Sequence, residues 1–217
     1  MMEDIILIGS GQHAGVVLYN IKEQGRYRVI GMLDNDPKKK GKIFKEIPII
    51  GDYTDISIEK VKREYNTNKF FIGFGNMKYR KIVFEHFIKQ GWEPVNIIHP
   101  NSVVSRSAQL GKGILVEAGC LVTPNPIVGD NVVINTGSQI NHDNIIENHV
   151  YIASGVVLSG GVFVGENTLI DDGIIVTLGK KVGKNCIIGA GSVVTRDIGD
   201  NVVAYGNPCK VIRNNDD

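Results

Sequence analysis

Hydrophobic residues recur at a fixed six-residue interval through the second half of the chain. Every sixth residue from Ile98 to Val194 is isoleucine, valine or leucine, without a slip. The positions are Ile98, Val104, Leu110, Val116, Val122, Val128, Ile134, Ile140, Ile146, Ile152, Leu158, Val164, Ile170, Val176, Val182, Ile188 and Val194. A period of six fits neither the 3.6-residue repeat of a helix nor the two-residue alternation of a strand. It predicts a β-solenoid in which each short strand turns one aliphatic side chain inward.

The residues between these positions suit tight corners. The stretches "LGKG" (110–113), "VGDN" (128–131), "VGEN" (164–167) and "VGKN" (182–185) supply glycine, asparagine and aspartate, which tolerate positive φ angles. The hexad register breaks after Val194, because residue 200 is aspartate.

The first half of the chain has a different pattern. Apolar runs at 4–9, 28–36, 47–51 and 69–76 predict strands, and residues 16–24, 56–65 and 77–90 predict helices. Alternating strands and helices indicate a small α/β unit with a parallel sheet. We therefore predict two domains, a Rossmann-like unit over residues 1–96 and a solenoid with a C-terminal tail over residues 97–217.

A glycine-rich turn follows the first predicted strand. Gly9, Gly11 and Gly15 precede and open a helix, an arrangement that binds phosphate through free N–H groups and the helix dipole. Asp34 comes 23 residues after Gly11, roughly where an acid that reads a ribose or a base belongs. The first half is too short for a complete dinucleotide-binding domain, so we expect a half-size nucleotide-binding unit.

Charge and cysteine content narrow the class of protein. The 24 basic residues nearly balance the 23 acidic ones, so no basic face for nucleic acid is implied. The one basic cluster, at Lys38, Lys39, Lys40 and Lys42, is either a solvated loop or a phosphate contact. Three well-separated cysteines without CxxC spacing indicate free thiols in a reducing compartment. Without a signal-like or membrane-spanning apolar stretch, we expect a cytoplasmic protein with no membrane partner.

The two halves together resemble one family. The stretches "IGSGQHAG" (8–15), "LDND" (33–36), "GFGN" (73–76) and "NHD" (141–143), followed by "GAGSVVTRDIGDNVVAYGNPCKVI" (189–212), are similar to the NeuD/PglD-like nucleotide-sugar acetyltransferases over essentially the whole chain. That family includes bacillosamine-pathway and perosamine N-acetyltransferases and proteins like sialic acid O-acetyltransferase. The resemblance implies a left-handed parallel β-helix with three sides per 18-residue coil, in a homotrimer. It further implies that the first unit binds a nucleotide-linked amino sugar, and that acetyl-CoA binds between neighbouring solenoids.

His142 can be interpreted in three ways: a polar corner residue, a metal ligand or a general base. His149 falls at a different point of the hexad, so the two histidines do not stack as metal ligands, and we expect no metal. One coil of 18 residues places Gly160 and Gly161 next to His142 and Asp143, which leaves room for a thin ligand and offers a backbone N–H to a thioester oxygen. An imidazole, whose reference pKa is about 6.5, suits removal of a proton from an attacking amine, and a carboxylate beside it would orient the ring.

The resemblance assigns roles to individual positions. The catalytic positions are His142 and Asp143. Those that match sugar-nucleotide contacts are Gly11, Gln12, His13, Asp34, Asn35 and Gly75. Those expected to contact acetyl-CoA are Tyr151, Gly160, Gly161, Asp172, Ala190 and Lys210. Tyr151 departs from the pattern, because several family members carry a histidine nine residues after the catalytic one; a phenol can still donate a hydrogen bond there.

The sequence therefore predicts direct transfer of acetyl from acetyl-CoA to the amino group of a nucleotide-linked amino sugar. An O-acetyltransferase of the sialic acid type needs the same base and is the nearest alternative. Two other classes remain open, a non-catalytic sugar-nucleotide-binding scaffold and a metalloenzyme like γ-carbonic anhydrase.

Overall fold

The computed structural model describes residues 2–216 of the chain. These residues form two compact units, the first ending at Ile97 and the second beginning at Ile98. None of the helices in this range has the length and hydrophobicity that crossing a membrane requires.

The first unit is an α/β fold around a six-stranded sheet, as predicted. Its elements are β1 (Glu3–Ile8), α1 (Gln12–Gln24), β2 (Tyr27–Leu33), β3 (Ile43–Phe44), β4 (Ile47–Gly51), α2 (Asp55–Tyr65), β5 (Lys69–Ile72), α3 (Met77–Lys89) and β6 (Glu93–Pro94). The strand order is β3-β4-β2-β1-β5-β6, with all neighbours parallel except the hairpin of β3 and β4. Alternating strands and crossover helices produce this parallel sheet.

Several boundaries differ from the sequence prediction. β2 ends at Leu33 and β5 at Ile72, each a few residues before the predicted end. The reason is that the polar and glycine residues after them turn out of the sheet. α1 begins at Gln12, four residues earlier than predicted, because the glycine-rich turn is completed within Gly9–Gly11. β3 and β6 have two residues each and are too short for a periodicity to reveal.

The order of strands reverses direction at β1. The chain moves from β1 outward to β2 and β4, then returns to place β5 on the other side of β1. Ligands of open α/β sheets bind outside the carboxyl ends of the strands at such a switch point. The segments that follow β1, β2 and β5 meet at this edge, where Gly9 N donates to Leu33 O (2.7 Å) and Gly73 N donates to Ile8 O (2.7 Å).

The second unit is a left-handed parallel β-helix, again as predicted. Its two-residue strands are β7 (Ile97–Ile98), β8 (Val103–Val104), β9 (Gln109–Leu110), β10 (Leu115–Val116), β11 (Leu121–Val122), β12 (Ile127–Val128), β13 (Val133–Ile134), β14 (Gln139–Ile140), β15 (Ile145–Ile146), β16 (Tyr151–Ile152), β17 (Val157–Leu158), β18 (Phe163–Val164), β19 (Leu169–Ile170), β20 (Ile175–Val176), β21 (Lys181–Val182), β22 (Ile187–Ile188) and β23 (Val193–Val194). They form three parallel sheets, which we name by their first strands the β7, β8 and β9 sheets.

Residues 18 positions apart stack in the solenoid. Val122 pairs with Ile140, and Ile140 in turn pairs with Leu158. The hexad aliphatics from Val116 to Val194 are at most 2% exposed. The interior is richer than one aliphatic per side, however, because a corner residue before most strands is also buried. These corner residues include Ile114, Cys120, Val132, Val150, Val156, Val162, Ile174 and Cys186.

The hexad register shifts by two residues near the end of the solenoid. Ile198 bridges to Val182, and Ala204 pairs with Ile188, each across 16 positions instead of 18. The last corner, around Asp197, is shorter than its predecessors, so the aspartate at position 200 lies outside the interior. Two longer antiparallel strands, β24 (Val202–Tyr205) and β25 (Lys210–Asn214), then cover one end of the β7 sheet.

Candidate functional site

The carboxylate of Asp34 organises the glycine-rich turn after β1. Its Oδ2 accepts hydrogen bonds from the backbone N–H (2.9 Å) and the hydroxyl (2.5 Å) of Ser10 and from Nζ of Lys39 (2.9 Å). Its Oδ1 accepts the backbone N–H of Asp36 at 3.0 Å. Burial alone would raise the pKa of Asp34, but the hydrogen bonds from Ser10, Asp36 and Lys39 outweigh it and keep the pKa below its usual value.

These contacts add a structural role to the one predicted for Asp34. The sequence suggested a direct reader of a ribose or base; in the structure both carboxylate oxygens accept protein donors and the side chain is 13% exposed. Asp34 therefore fixes the turn and positions Lys39. Asn35, which is exposed, accepts the backbone N–H of Tyr53 through Oδ1 at 3.0 Å.

The start of α1 lies open at the same edge of the sheet. Gly11 occupies the N-cap position without a side-chain cap, and no described heavy atom lies within 4 Å of the place where its Cβ would be. Gln12 and His13 form the first turn of the helix. This geometry presents backbone N–H groups to an incoming anion.

His13 is held in its neutral form. Burial, reinforced by the positive charge of Arg80, lowers the pKa of His13 to about 4. Arg80 is itself buried and donates to the carbonyls of Ile72 (2.9 Å) and Phe74 (3.3 Å), which fixes the segment between β5 and α3. Gly75 lies in that segment, so the structure brings Gly75 to the edge that carries Gly11 and Gln12.

Gly15 does not belong to the turn that the sequence suggested. It lies within α1, and a Cβ there would approach Nζ of Lys45 to 2.8 Å. The missing side chain makes room for Lys45, and the open turn before the helix is confined to Gly9–Gly11.

His142 and Asp143 form a contact pair on the solenoid corner between the β8 and β9 sheets. Nδ1 of His142 lies 2.8 Å from Oδ2 of Asp143, and both side chains are 59% exposed. Asp143 has a left-handed backbone (φ 58°), which a short polar side chain tolerates. Because a carboxylate can only accept, Nδ1 carries the proton in this contact and Nε2 of the neutral ring is left as the acceptor. The hydrogen bond to His142 and a second one to Asn125 lower the pKa of Asp143.

Asn125 is part of this corner and was not identified from the sequence. It occupies the position one coil before Asp143, and its Nδ2 donates to Oδ1 of Asp143 at 3.3 Å. The signal was available in the spacing, because 143 minus 18 is 125.

Gly160 lies next to the histidine ring, one coil further along. A Cβ at Gly160 would fall 2.3 Å from Nε2 and 2.4 Å from Cε1 of His142, so only glycine leaves the ring its place. Gly161 differs from the expectation, because its N–H donates to the carbonyl of His142 at 2.8 Å and is already used in coil stacking. The N–H of Gly160 is not used in this stacking contact, so Gly160 is the better candidate for an amide donor beside the ring.

The remaining positions expected to contact acetyl-CoA lie elsewhere on the triangular prism that the three sheets of the solenoid form. Tyr151 is in the β7 sheet, where its hydroxyl accepts from Nδ2 of Asn135 at 3.1 Å. Asp172 and the exposed Ala190 stack on the corner between the β7 and β8 sheets, and Asp172 accepts the backbone N–H of Ser154 at 2.9 Å. Lys210 is exposed at the start of β25. A single solenoid thus distributes its predicted ligand contacts over two different corners, one face and the C-terminal hairpin.

The three cysteines and His149 lie in surroundings unlike those of His142. Burial raises the pKa of Cys120 to about 11 and also raises the pKa of Cys186 and Cys209. His149 is buried on a different corner, within 2.9 Å of Nδ2 of Asn131. Within residues 2–216, no three His, Cys, Asp or Glu side chains are grouped as metal ligands would be.

Comparison with known proteins identifies relatives of both units. Residues 4–87 match the family described as PglD N-terminal domain. The structure superimposes on PerB from Caulobacter crescentus, solved in complex with CoA and GDP-perosamine, with a TM-score of 0.89 and 33% identity over 98% of each chain. It also superimposes on the acetyltransferase domain of PglB from Neisseria gonorrhoeae in complex with acetyl coenzyme A, with a TM-score of 0.86 and 27% identity over 98% of this chain and 100% of that one.

A curated protein is similar in sequence to this chain over a shorter stretch. UDP-N-acetylbacillosamine N-acetyltransferase from Bacillus subtilis is 30% identical over 119 residues, which cover 54% of this chain. The match spans 52%, about half, of that relative's length. Together with the end-to-end similarity to PerB, these matches show that the chain belongs to the NeuD/PglD-like family of nucleotide-sugar acetyltransferases.

Proposed function

We propose that the protein transfers acetyl from acetyl-CoA to the amino group of a nucleotide-linked amino sugar, with His142 as general base. The observation that carries this proposal is the arrangement of one imidazole, with Nδ1 on the carboxylate of Asp143 and Nε2 beside Gly160. Two relatives solved with coenzyme A or acetyl coenzyme A, one of them also with GDP-perosamine, support the substrate classes.

The proton transfers follow from the tautomer of the ring. The substrate amine attacks the thioester carbonyl carbon and loses a proton to Nε2 of His142. Asp143 stabilises the imidazolium that forms, and the N–H of Gly160 is the donor to the developing oxyanion. When the C–S bond breaks, the imidazolium returns the proton to the departing sulfur, so that the products are the acetamido sugar and the free thiol of CoA.

Direct transfer in a ternary complex fits the surroundings of His142 better than an acyl-enzyme. A covalent intermediate on cysteine needs an accessible thiolate. The three thiols are buried, and burial raises the pKa of each of them.

In the first unit, the edge formed by Gly11, Gln12 and His13 is the proposed site for the sugar nucleotide. Open helix N–H groups suit its diphosphate, and the ammonium of Lys39, held beside the turn by Asp34, adds a positive charge. A neutral His13 can accept or donate a hydrogen bond without repelling a protonated amino sugar.

The site for acetyl-CoA is proposed to lie between two solenoids of a homotrimer. His142 and Gly160 occupy one corner of the prism, whereas Asp172 and Ala190 occupy another. Residues on different corners can line one elongated ligand when the corners belong to neighbouring copies.

A thiol-release assay with acetyl-CoA tests the proposal. The acceptors are 4-amino-4,6-dideoxy sugars linked to UDP, dTDP or GDP, compared with the same sugars lacking the nucleotide and with sialic acid. We expect thiol release with at least one nucleotide-linked amino sugar, together with an N-acetyl product identified by mass spectrometry. Acetylation of free sugars only would refute the nucleotide-sugar assignment. Acetylation of hydroxyl groups only would favour the O-acetyltransferase alternative.

A further inference from the structure

The corner that carries His142 continues one coil further back through a hydrogen-bonded column. Asn125, Asp143 and Gly161 follow one another at intervals of 18 residues, and all three have left-handed backbones, with φ of 66°, 58° and 65°. Side chains in such a column point toward the neighbouring coil. The amide of Asn125 therefore reaches Oδ1 of Asp143, while Oδ2 of Asp143 contacts His142.

The two oxygens of Asp143 thus have separate partners. A carboxylate that is hydrogen-bonded at only one oxygen can rotate about its χ2 torsion, because aspartate has a broad distribution of χ2 angles. With Asn125 at one oxygen and His142 at the other, the plane of the carboxylate is defined by two contacts. The backbone N–H groups of Asn125 and Asp143 are themselves anchored, to Ser107 Oγ (3.1 Å) and Pro124 O (3.2 Å) respectively.

We propose that Asn125 is a positioning residue for acetyl transfer, which holds the Asp143 carboxylate in the orientation that fixes the ring of His142. The inference rests on the proposed function and extends the catalytic pair to a three-residue relay. In this relay Asn125, one coil before Asp143, orients the side chain of His142 through the carboxylate of Asp143. Asn125 is not expected to touch either substrate.

Other asparagines of the solenoid form similar contacts without a catalytic group. On the corner between the β9 and β7 sheets, Asn167 has φ of 57° and its Nδ2 donates to Oδ1 of Asn185 at 3.0 Å. Asn167 therefore reproduces both the backbone and the side-chain contact of Asn125, and it provides a matched control.

The substitution Asn125→Gly removes the amide and keeps the left-handed backbone, which glycine adopts without strain. We expect kcat to fall about three- to tenfold, the range that one hydrogen bond provides. Both KM values should change less than twofold, because substrate contacts are untouched. Asn167→Gly should leave kcat and KM unchanged. A rise in KM with constant kcat, or equal losses in the two variants, would show that Asn125 is merely structural.

A double-mutant cycle shows whether Asn125 acts through Asp143. Asp143 also has a left-handed backbone, so Asp143→Gly is the appropriate background. In that background Asn125→Gly should change kcat by less than twofold, because the group that it positions is gone. An undiminished loss in the Asp143→Gly background would overturn the proposal.

An NMR titration separates this inference from the proposed function. The titratable group in contact with Asp143 is His142, and Asn125 is uncharged but donates to the carboxylate. The carboxyl carbon of Asp143 should titrate at higher pH in Asn125→Gly than in the wild type, and higher still in Asn125→Asp. If no sugar nucleotide is acetylated, the proposed function fails while this titration still tests the contact. An unchanged titration in both variants would refute the contact itself.

Discussion

The reactivity proposed for His142 depends on the next residue in the chain and on a residue one coil away. Asp143 contacts Nδ1, and Gly160 leaves room for the ring. Asp143 is polar because it hydrogen-bonds the ring, and position 160 is glycine because a side chain there would overlap the ring. Each residue can be substituted separately. In the first unit, Lys39 is likewise held by a neighbouring carboxylate, that of Asp34.

Gly160 is the position where a single methyl group should matter most. A Cβ there would overlap the ring of His142, and the backbone of Gly160 is not left-handed, so alanine acts through the ring alone. We expect Gly160→Ala to lower kcat at least about tenfold, because displacement of a catalytic group by an ångström costs one to two orders of magnitude. Gly199→Ala is the control, since no described heavy atom lies within 4 Å of a Cβ there and its backbone is not left-handed either. Equal thiol-release rates in the two variants would contradict the account.

Lys39 differs from the other lysines of its cluster. Its side chain is 35% exposed and pairs with Asp34 at 2.9 Å, whereas Lys40 is 64% exposed and lies 3.9 Å from Asp52. We expect Lys39→Ala to raise KM for the sugar nucleotide about tenfold, the effect of one charge-assisted hydrogen bond to phosphate, and to leave kcat within about twofold. Lys40→Ala should change neither constant. Indistinguishable steady-state parameters for the two variants would remove Lys39 from the site.

Part of this site could be predicted from sequence. Adding 18 to 142 identified Gly160, and subtracting 18 from 143 would equally have identified Asn125. Lys39 was named only as one member of a basic cluster and Arg80 was not identified, because irregular loops and helix faces have no repeat that fixes their neighbours. The sequence placed Asp34 at the end of the second strand, where the structure has it directly after β2, but its contacts depend on donors that only the folded turn brings together.

At the level of elements, the solenoid derives its stability from columns of identical positions. The hexad aliphatics from Val116 to Val194 are buried, while the preceding residue of most strands is at least partly exposed, as Ile145 is in β15; Leu115 and Val133 are buried exceptions. This alternation explains why the six-residue period predicted the strands so well. The two-residue shift before Ile198 was not predictable, because a shortened corner preserves the inward column without preserving the spacing.

Adjacent isoleucines in β15 test this alternation. Ile146 is 1% exposed, whereas Ile145 is 45% exposed. We expect Ile146→Ala to lower the free energy of unfolding by about 2–5 kcal/mol, through lost burial and a residual cavity. Ile145→Ala should cost less than about 1 kcal/mol. Urea unfolding of the two variants measures the difference, and comparable costs would show that Ile145 is equally buried in the assembled protein.

At the scale of the whole molecule, the two units, each predictable from sequence, have different roles in the proposed acetyl transfer. In the proposal, the α/β unit binds the diphosphate of the sugar nucleotide, and the solenoid provides the base on one corner and acetyl-CoA contacts on another. The family match identifies this combination, which neither a glycine-rich turn nor a hexapeptide repeat would have identified alone.

A mixing experiment tests whether neighbouring solenoids share the acetyl-CoA site. His142→Ala removes the base from one corner, and Ala190→Trp blocks the other corner at an exposed position. If a site takes one corner from each of two copies, co-expression of the two inactive variants should restore about a quarter of the wild-type activity, the statistical share of intact sites in a symmetric ring. A site contained within one chain would give no recovery.

The role of His142 is the central claim, and the turnover of His142→Ala tests it most directly. With acetyl-CoA and the accepted amino sugar nucleotide both saturating, general base catalysis predicts a fall in kcat of about 10²- to 10⁴-fold. The KM values and the thermal unfolding midpoint should stay close to those of the wild type, because the side chain is largely exposed. Near-normal turnover of a folded His142→Ala protein would contradict the account.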